Sequence, residues 1–275
     1  MDERLNLLAA SANATTYDLT ATKDYVDGAP HIKLASLRSL YWDLLVQVYD
    51  YAVKHTDCPH VLDLGAGEGE AALSFLELGA RVTAVDISMS QIDALGKKCE
   101  QFADRLELRC EKVQGVLADR GCKYDVVVTN SFLHHVPDYL GMIKGVVGLL
   151  SPHGQLFTFQ DPLRHDSVSA FTRAFTDVAY LSWRLFKGDF WGGLGRRLRR
   201  WRGAYLADSV YDNTDYHILR NGVDQEALKH LLERAGLKCR VVRYCSTQSR
   251  IFQRFGNILG VENTFALIAQ RSVQE

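Results

Sequence analysis

No two cysteines in this sequence are spaced C-x-x-C, and none of the six (Cys58, Cys99, Cys110, Cys122, Cys239 and Cys245) joins a histidine in a zinc-ligand pattern. That argues against a thioredoxin-type redox pair, and no metal site is expected. Scattered thiols in a 275-residue chain predict a reducing, cytoplasmic setting. No apolar run approaches the roughly 18 residues that a membrane-spanning helix needs. The opening MDERLNLLAASANATTYDL has two early acids and no long apolar core, so no secretory leader is expected. Neither sign of charge dominates. The formal net charge is −1, which gives no global reason to expect a nucleic-acid partner. Internal repeats and low-complexity tracts are also missing.

Hydrophobic residues make up 47% of the chain, enough to bury a sizeable core. Residues 31–55 place Leu34, Leu37, Tyr41, Leu44, Leu45 and Val48 at helical spacing, which predicts one amphipathic helix. Residues 1–30 are polar and mixed. From residue 60 strands and helices alternate: HVLDLG, RVTAVDIS, LELRCEKV, YDVVVTNS and GQLFTFQD read as strands, with helices of about 10–15 residues between most of them. That rhythm predicts an α/β fold with a parallel sheet. Val126 to Val128 form a continuous apolar run, as a strand buried on both faces requires. The rhythm breaks at 163–222. It resumes with DQEALKHLLERAG, a helix with Asp224 placed to cap it and Gly236 to end it. LKCRVVRY follows as a strand, then a polar loop, then NTFALIAQR as a last strand.

The first strand runs into HVLDLGAGEGEA, with Gly65, Gly67 and Gly69 at alternate positions, and Asp86 ends the second strand. A glycine loop and a carboxylate at the carboxyl ends of neighbouring strands suit a nucleotide with a ribose. A dinucleotide and S-adenosylmethionine both qualify. Three residues separate them. The dinucleotide pattern G-x-G-x-x-G needs a small third residue where Glu70 stands. Glu68 and Glu70 are poor company for a pyrophosphate. Asp63, where a dinucleotide strand has an apolar residue, suits a cationic ligand.

VLDLGAGEGEAA, VTAVDIS and YDVVVTNSFLHHVPD, in that order and spacing, resemble the class I S-adenosylmethionine-dependent methyltransferases over residues 58–162. The resemblance implies a Rossmann-like, seven-stranded, mostly parallel sheet with an antiparallel last strand and helices on both faces. It also implies an α-helical and loop insertion after strand five. By position it places Gly65, Ala66 and Gly67 against the methionine part, Asp63 near the ammonium, and Asp86 on the ribose hydroxyls. Ile87 and the Val113 amide would meet adenine, and Asn130 the carboxy-propyl arm. Lys112 stands where the family often has an adenine-binding acid. Tyr17 and His31 lie in the segment the family uses as a cover.

His134 is the candidate catalytic base, because a neutral imidazole can take the proton of an attacking hydroxyl or ammonium. His135 matches the family's commoner, structurally packed histidine and, with Tyr216 and His217, is a candidate acceptor contact. Methyl transfer can also proceed by positioning alone. The insertion is aromatic and holds Arg196, Arg197, Arg199, Arg200 and Arg202. Three readings of that cluster stand open: a solvated basic face, a lid pairing with an anionic acceptor, or a helix on anionic lipid.

The chain is expected to be a single domain: a helical cover (1–57), a cofactor core (58–162), an acceptor lid (163–222) and a C-terminal completion of the sheet (223–275). It would be a monomer or homodimer. The expected activity is methylation of an oxygen or nitrogen of a small biosynthetic metabolite. The alternatives are a nicotinamide-dependent oxidoreductase and an inactive S-adenosylmethionine-binding partner protein.

Overall fold

The computed structural model describes residues 3–19, 29–119, 121–204, 213–214 and 216–271, apart from the side chains of 3, 19, 196, 200 and 219. Two aromatic residues of the insertion, Tyr205 and Tyr211, lie outside the described residues. Helix α1 (Glu3–Leu19) occupies the stretch whose mixed composition predicted no element. It packs through small residues, Ala9 and Ala12, which leave a weak apolar signal. The single helix expected over 31–55 is two, α2 (Pro30–Lys33) and α3 (Ala35–Ala52). Pro30 opens the first, and Leu34 between them is extended and buried.

The alternating region follows the expected order: β1 (His60–Leu64), α4 (Glu70–Glu77), β2 (Arg81–Asp86), α5 (Met89–Lys98) and β3 (Leu106–Cys110). Then come α6 (Val113–Ala118), β4 (Tyr124–Asn130), α7 (Tyr139–Val147) and β5 (Leu150–Pro162). The insertion folds as α8 (Ala170–Phe186), α9 (Phe190–Trp201) and the short α10 (Tyr216–Leu219). The chain continues with α11 (Gln225–Arg234), β6 (Leu237–Tyr244), α12 (Arg250–Ile258) and β7 (Thr264–Arg271). Asp224 caps α11 by accepting the Ala227 amide at 3.0 Å, and Gly236 follows it at φ 82°. Two expectations change. Strand β3 stops at Cys110, so Val113 begins a helix. The loop read as polar after β6 contains α12.

The seven strands lie in the order β3-β2-β1-β4-β5-β7-β6. Strands β1 to β5 pair parallel, and β7 runs antiparallel to both β5 and β6. Alternate residues feed two cores. Val61, Val126, Val128 and Phe157 pack with α3, α4 and α5 on one face. Leu62, Leu64, Val127 and Leu156 pack with α7 and α11 on the other. This is the mixed, doubly covered sheet that the sequence predicts.

The strand order reverses between β1 and β4, the position where α/β sheets open a crevice. The insertion leaves and re-enters the fold at one place. Leu163 bridges Val223, and the Val223 amide donates to the Pro162 carbonyl at 2.9 Å. It therefore hangs over that crevice without disturbing the sheet. Among the described residues no helix is long and apolar enough to cross a membrane.

Candidate active site

The chain leaves β1 in a loop that only glycine accommodates. Gly65, Gly67 and Gly69 have φ of 70°, 52° and 80°. A Cβ on Gly65 would stand 2.2 Å from the Phe132 ring. The loop is held by its neighbour strand: the Gly65 and Ala66 amides donate to the Val85 carbonyl at 2.9 and 3.0 Å. Asp86 finishes the bracing. Its Oδ2 accepts the Gly67 amide and its Oδ1 the Ser88 amide, each at 2.9 Å. Burial raises its pKa against the lowering pull of these amides. Each oxygen keeps lone-pair capacity for a ligand.

These residues form one end of a cavity of about 590 Å³. Gly65, Gly67, Asp86, Ile87, Val113 and Asn130 all line it. Val113 stands at the start of α6, where backbone amides have no partner within the helix. Tyr17 and His31 close the cavity from the N-terminal side, and Ser88 donates from its hydroxyl to Asp18 at the end of α1. His31 Nε2 lies 3.3 Å from Asn130 Nδ2, and burial lowers its pKa to about 4, so the ring is neutral. Asn130 Oδ1 is buried without a hydrogen-bond partner.

Asp63 and Ala66 sit differently. Both are buried and absent from the cavity wall, Asp63 beneath the loop. Neither Asp63 oxygen accepts a well-formed hydrogen bond. Burial raises its pKa to about 7, with the Ala72 amide opposing and the Asp86 charge adding.

At the far end of the cavity two non-glycine residues adopt left-handed backbone, Ser131 (φ 54°) and Gln160 (φ 67°). Ser131 follows β4 and Gln160 lies near the end of β5, and the Ser131 amide donates to the Phe159 carbonyl at 2.7 Å. The β5–β7 register shifts between Thr158 and Asp161. That bulge re-aims Asp161 toward the turn after β4. Asp161 Oδ1 accepts the His134 amide at 3.0 Å and faces His134 Nδ1 at 2.8 Å. An oxygen already accepting one N–H is the acceptor for the ring as well. The imidazole proton therefore belongs on Nδ1, and Nε2 keeps its lone pair. His134 lines the cavity, and its Nε2 has no hydrogen-bond partner among the described residues. Burial holds the His134 pKa down and pushes that of Asp161 up, so desolvation opposes charge on each.

His135 also lines the cavity, with both ring nitrogens engaged: Nδ1 lies 2.6 Å from the Thr214 carbonyl and Nε2 3.1 Å from the Tyr17 hydroxyl. It ties the N-terminal cover to the insertion.

The insertion supplies another wall of the cavity. Arg173, Tyr180, Trp183 and Arg184 of α8 and Arg197 of α9 face the cavity. Arg197 pairs with Asp177 at 3.0 Å and stacks 4.4 Å from the Tyr180 ring centre. Arg184 pairs with Asp189 at 3.1 Å. Arg173 differs: its one hydrogen bond goes to the His165 carbonyl at 3.4 Å, and no acid among the described residues pairs with it.

Tyr216 and His217 require a correction, because neither lines the cavity. The turn α10 packs back on the 133–137 segment, where His217 Nε2 donates to the Val136 and Pro137 carbonyls at 3.0 and 3.2 Å. Tyr216 lies under the Arg220 guanidinium. Sequence reasoning passed over Asp161 and Arg173. Asp161 stood in a strand-ending FQD that read as ordinary. Arg173 lies outside the arginine-dense stretch that drew attention.

Comparison with known proteins finds methyltransferases. A methyltransferase domain family model matches residues 27–242. The ubiquinone biosynthesis O-methyltransferase of Coxiella burnetii is 36% identical over 98 residues, covering 36% of this chain and 42% of that protein. The chain therefore spans about two fifths of that relative's length. The Xanthomonas campestris pv. campestris enzyme of the same name is 28% identical over 168 residues, covering 57% of this chain and 69% of that protein. Magnesium protoporphyrin IX methyltransferase from Synechocystis PCC 6803, solved with bound S-adenosylmethionine, shares the fold. Its TM-score is 0.53 at 16% identity, over 96% of this chain and 97% of that one.

Proposed function

The chain belongs to the class I S-adenosylmethionine-dependent methyltransferases, and from that premise we propose that it methylates an oxygen or nitrogen of a small, anionic metabolite, with His134 as the base. Membership sets the nicotinamide reading aside. When bound, S-adenosylmethionine supplies a methyl group on a sulfonium, already an excellent leaving group.

The residues present fit that molecule. Asn130 Oδ1 is an orphaned acceptor on the cavity wall, and Asp63 an unpaired carboxylate beneath the loop. A cationic amino acid group answers the first directly, while Asp63, off the cavity wall, acts on it only through the loop. Gly65 and Gly67 offer close backbone approach, Asp86 the acceptor for ribose hydroxyls, and Ile87 and the Val113 amide the adenine contacts. In this reading residues 1–57 cover the cofactor, 58–162 hold it, 163–222 form the lid, and 223–275 complete the sheet. Tyr17 and His31 belong to the cover.

The observation that carries the base assignment is the His134–Asp161 pair, Nδ1 to Oδ1 at 2.8 Å, on the cavity wall. The attacking group gives its proton to Nε2. The imidazolium so formed lies against Asp161, and that pairing offsets the burial cost. His135 positions the cover. Arg173, the cavity-lining arginine without an acid partner among the described residues, supplies a bidentate fork for a carboxylate or phosphate on the acceptor.

The test is turnover of tritium-labelled S-adenosylmethionine against a panel of hydroxylated and aminated aromatic acids and their neutral amides. Methylation at oxygen or nitrogen, favouring the acids, is expected. Products methylated only at carbon, or equal use of the neutral amides, would overturn the reading.

A further inference from the structure

Helices α8, α9 and α12 leave large apolar side chains outside the protein. On α8 these are Phe171, Val178 and Leu185, one heptad apart, with Phe186 at 89% exposure. On α9 they are Trp191, Leu198 and Trp201, the tryptophans 80% and 83% exposed. On α12 they are Ile251, Phe255 and Ile258, the last 70% exposed. A monomer in water gains nothing from such stripes, whereas scattered single exposures would need no account.

The stripes adjoin one another. Phe171 and Phe175 of α8 lie 6.3 Å apart, and Phe175 meets Phe252 of α12 edge-on at 5.8 Å. The seam thus runs from one helix onto the other. At the far end of α8, residues 187–189 separate Phe186 from Phe190 and Trp191 of α9, whose rings meet edge-on at 5.5 Å. The polar side of α9 is already used: Arg197 is tied to Asp177 and Tyr180 of α8. That leaves the tryptophans facing out.

Charge selects the occupant. Arg173, Arg184 and Arg197 of these helices face the cavity, and the one acid in the three helix sequences, Asp177, is paired with Arg197. Arg250 and Arg254 are exposed beside the α12 stripe. Exposed aromatics flanked by arginines, with almost no acids, suit the headgroup layer of an anionic bilayer. A second copy of the same face would set arginine against arginine.

We propose that the α8–α9–α12 face docks on an anionic lipid bilayer. Tyr180 and Trp183 on the cavity side of α8 then lie on the same helix as Val178 and Leu185 on the lipid side. The lid that walls the acceptor cavity is therefore the element that meets the membrane. The proposal concerns a surface and holds whether or not His134 is the base.

The test is co-sedimentation of the full chain with vesicles of equimolar phosphatidylcholine and phosphatidylglycerol, against phosphatidylcholine alone. Binding to the mixed vesicles, weakened by salt, is expected. The double variants Phe186→Ser/Trp191→Ser and Ile251→Ser/Phe255→Ser should each lower the partition coefficient at least about tenfold. Arg250→Glu/Arg254→Glu should lose binding to the mixed vesicles. Retained S-adenosylhomocysteine binding shows that each variant is folded. No binding by the wild-type chain, or apolar variants that sediment like wild type, would overturn the proposal. So would sedimentation velocity showing a dimer that the apolar variants convert to monomer, because a second copy would then cover the face.

Discussion

The two ends of the cavity are held by different kinds of atoms. At the cofactor end the work is done by backbone: three left-handed glycines, amides bound to Val85 and Asp86, and the start of α6. At the other end, the proposed acceptor end, it is done by side chains on a helix that lies outside the sheet, with Arg173, Tyr180 and Trp183 from α8. Backbone geometry suits a ligand that never changes. A helix face can be rewritten one side chain at a time without touching the sheet. The His134–Asp161 pair stands between the two, rooted in the turn after β4 and the bulge of β5.

The sharpest break between the halves should come at that pair. His134→Gln is expected to lower kcat by roughly 10²–10³-fold, while S-adenosylhomocysteine affinity by titration calorimetry stays within about twofold. Asp161→Asn should cost less and move the acid limb of the kcat/KM profile, since it alters the ring's partner and leaves the ring in place. Equal losses of cofactor affinity and turnover would mean the halves are not separable.

Comparable in size, Asp86→Ala removes a carboxylate that accepts the Gly67 and Ser88 amides. Cofactor affinity should fall roughly 10²–10⁴-fold, two charge-assisted hydrogen bonds to the ribose being worth roughly 1.5–3 kcal/mol each. A small effect would mean that the loop holds its shape without the acid.

Asp63 offers a stability test of the cofactor end. Folded Asp63 ionises near 7 and an unfolded aspartate near 3.8. Between those values the folded chain holds the extra proton, so raising the pH through this window destabilises the fold, and the full penalty stands above pH 7. Asp63→Asn should therefore stabilise the ligand-free protein by roughly 1–3 kcal/mol at about pH 8 in urea melts. That gain should vanish below about pH 4, and the variant should bind cofactor more weakly. No stabilisation at about pH 8 would mean the carboxylate is satisfied in the free protein.

At the acceptor end, Arg173→Met should raise KM for a carboxylated acceptor about tenfold and leave its neutral amide unchanged. The smallest effect belongs to Tyr216→Phe, which should change kcat and KM by less than about twofold because that ring lies off the cavity wall.

The same division governs what could be read in advance. Strands β1, β2, β4 and β5 were legible because both-face burial writes continuous apolar runs, and the loop because only glycine tolerates its dihedrals. Helix α1 was not, since Ala9 and Ala12 pack it with little hydrophobic signature. Helix α12 was not, because its apolar residues face outward and its nine positions include Arg, Gln and Asn. Tyr216 and His217 looked like pocket walls by composition, and α10 turned them onto Val136 and Pro137.

Local sequence by itself determined the sheet, the cofactor loop and the carboxylate at Asp86. Each depends on residues within a few positions of one another: a dihedral, an alternation, a strand end. Only the tertiary structure decided that Asp161 Oδ1 faces the His134 ring, that Arg173 lines the cavity with no acid partner among the described residues, and that the aromatic residues of α8 and α12 meet at Phe175 and Phe252. Those facts depend on register and helix packing between residues far apart in sequence. A one-residue slip in β5 would have turned Asp161 away.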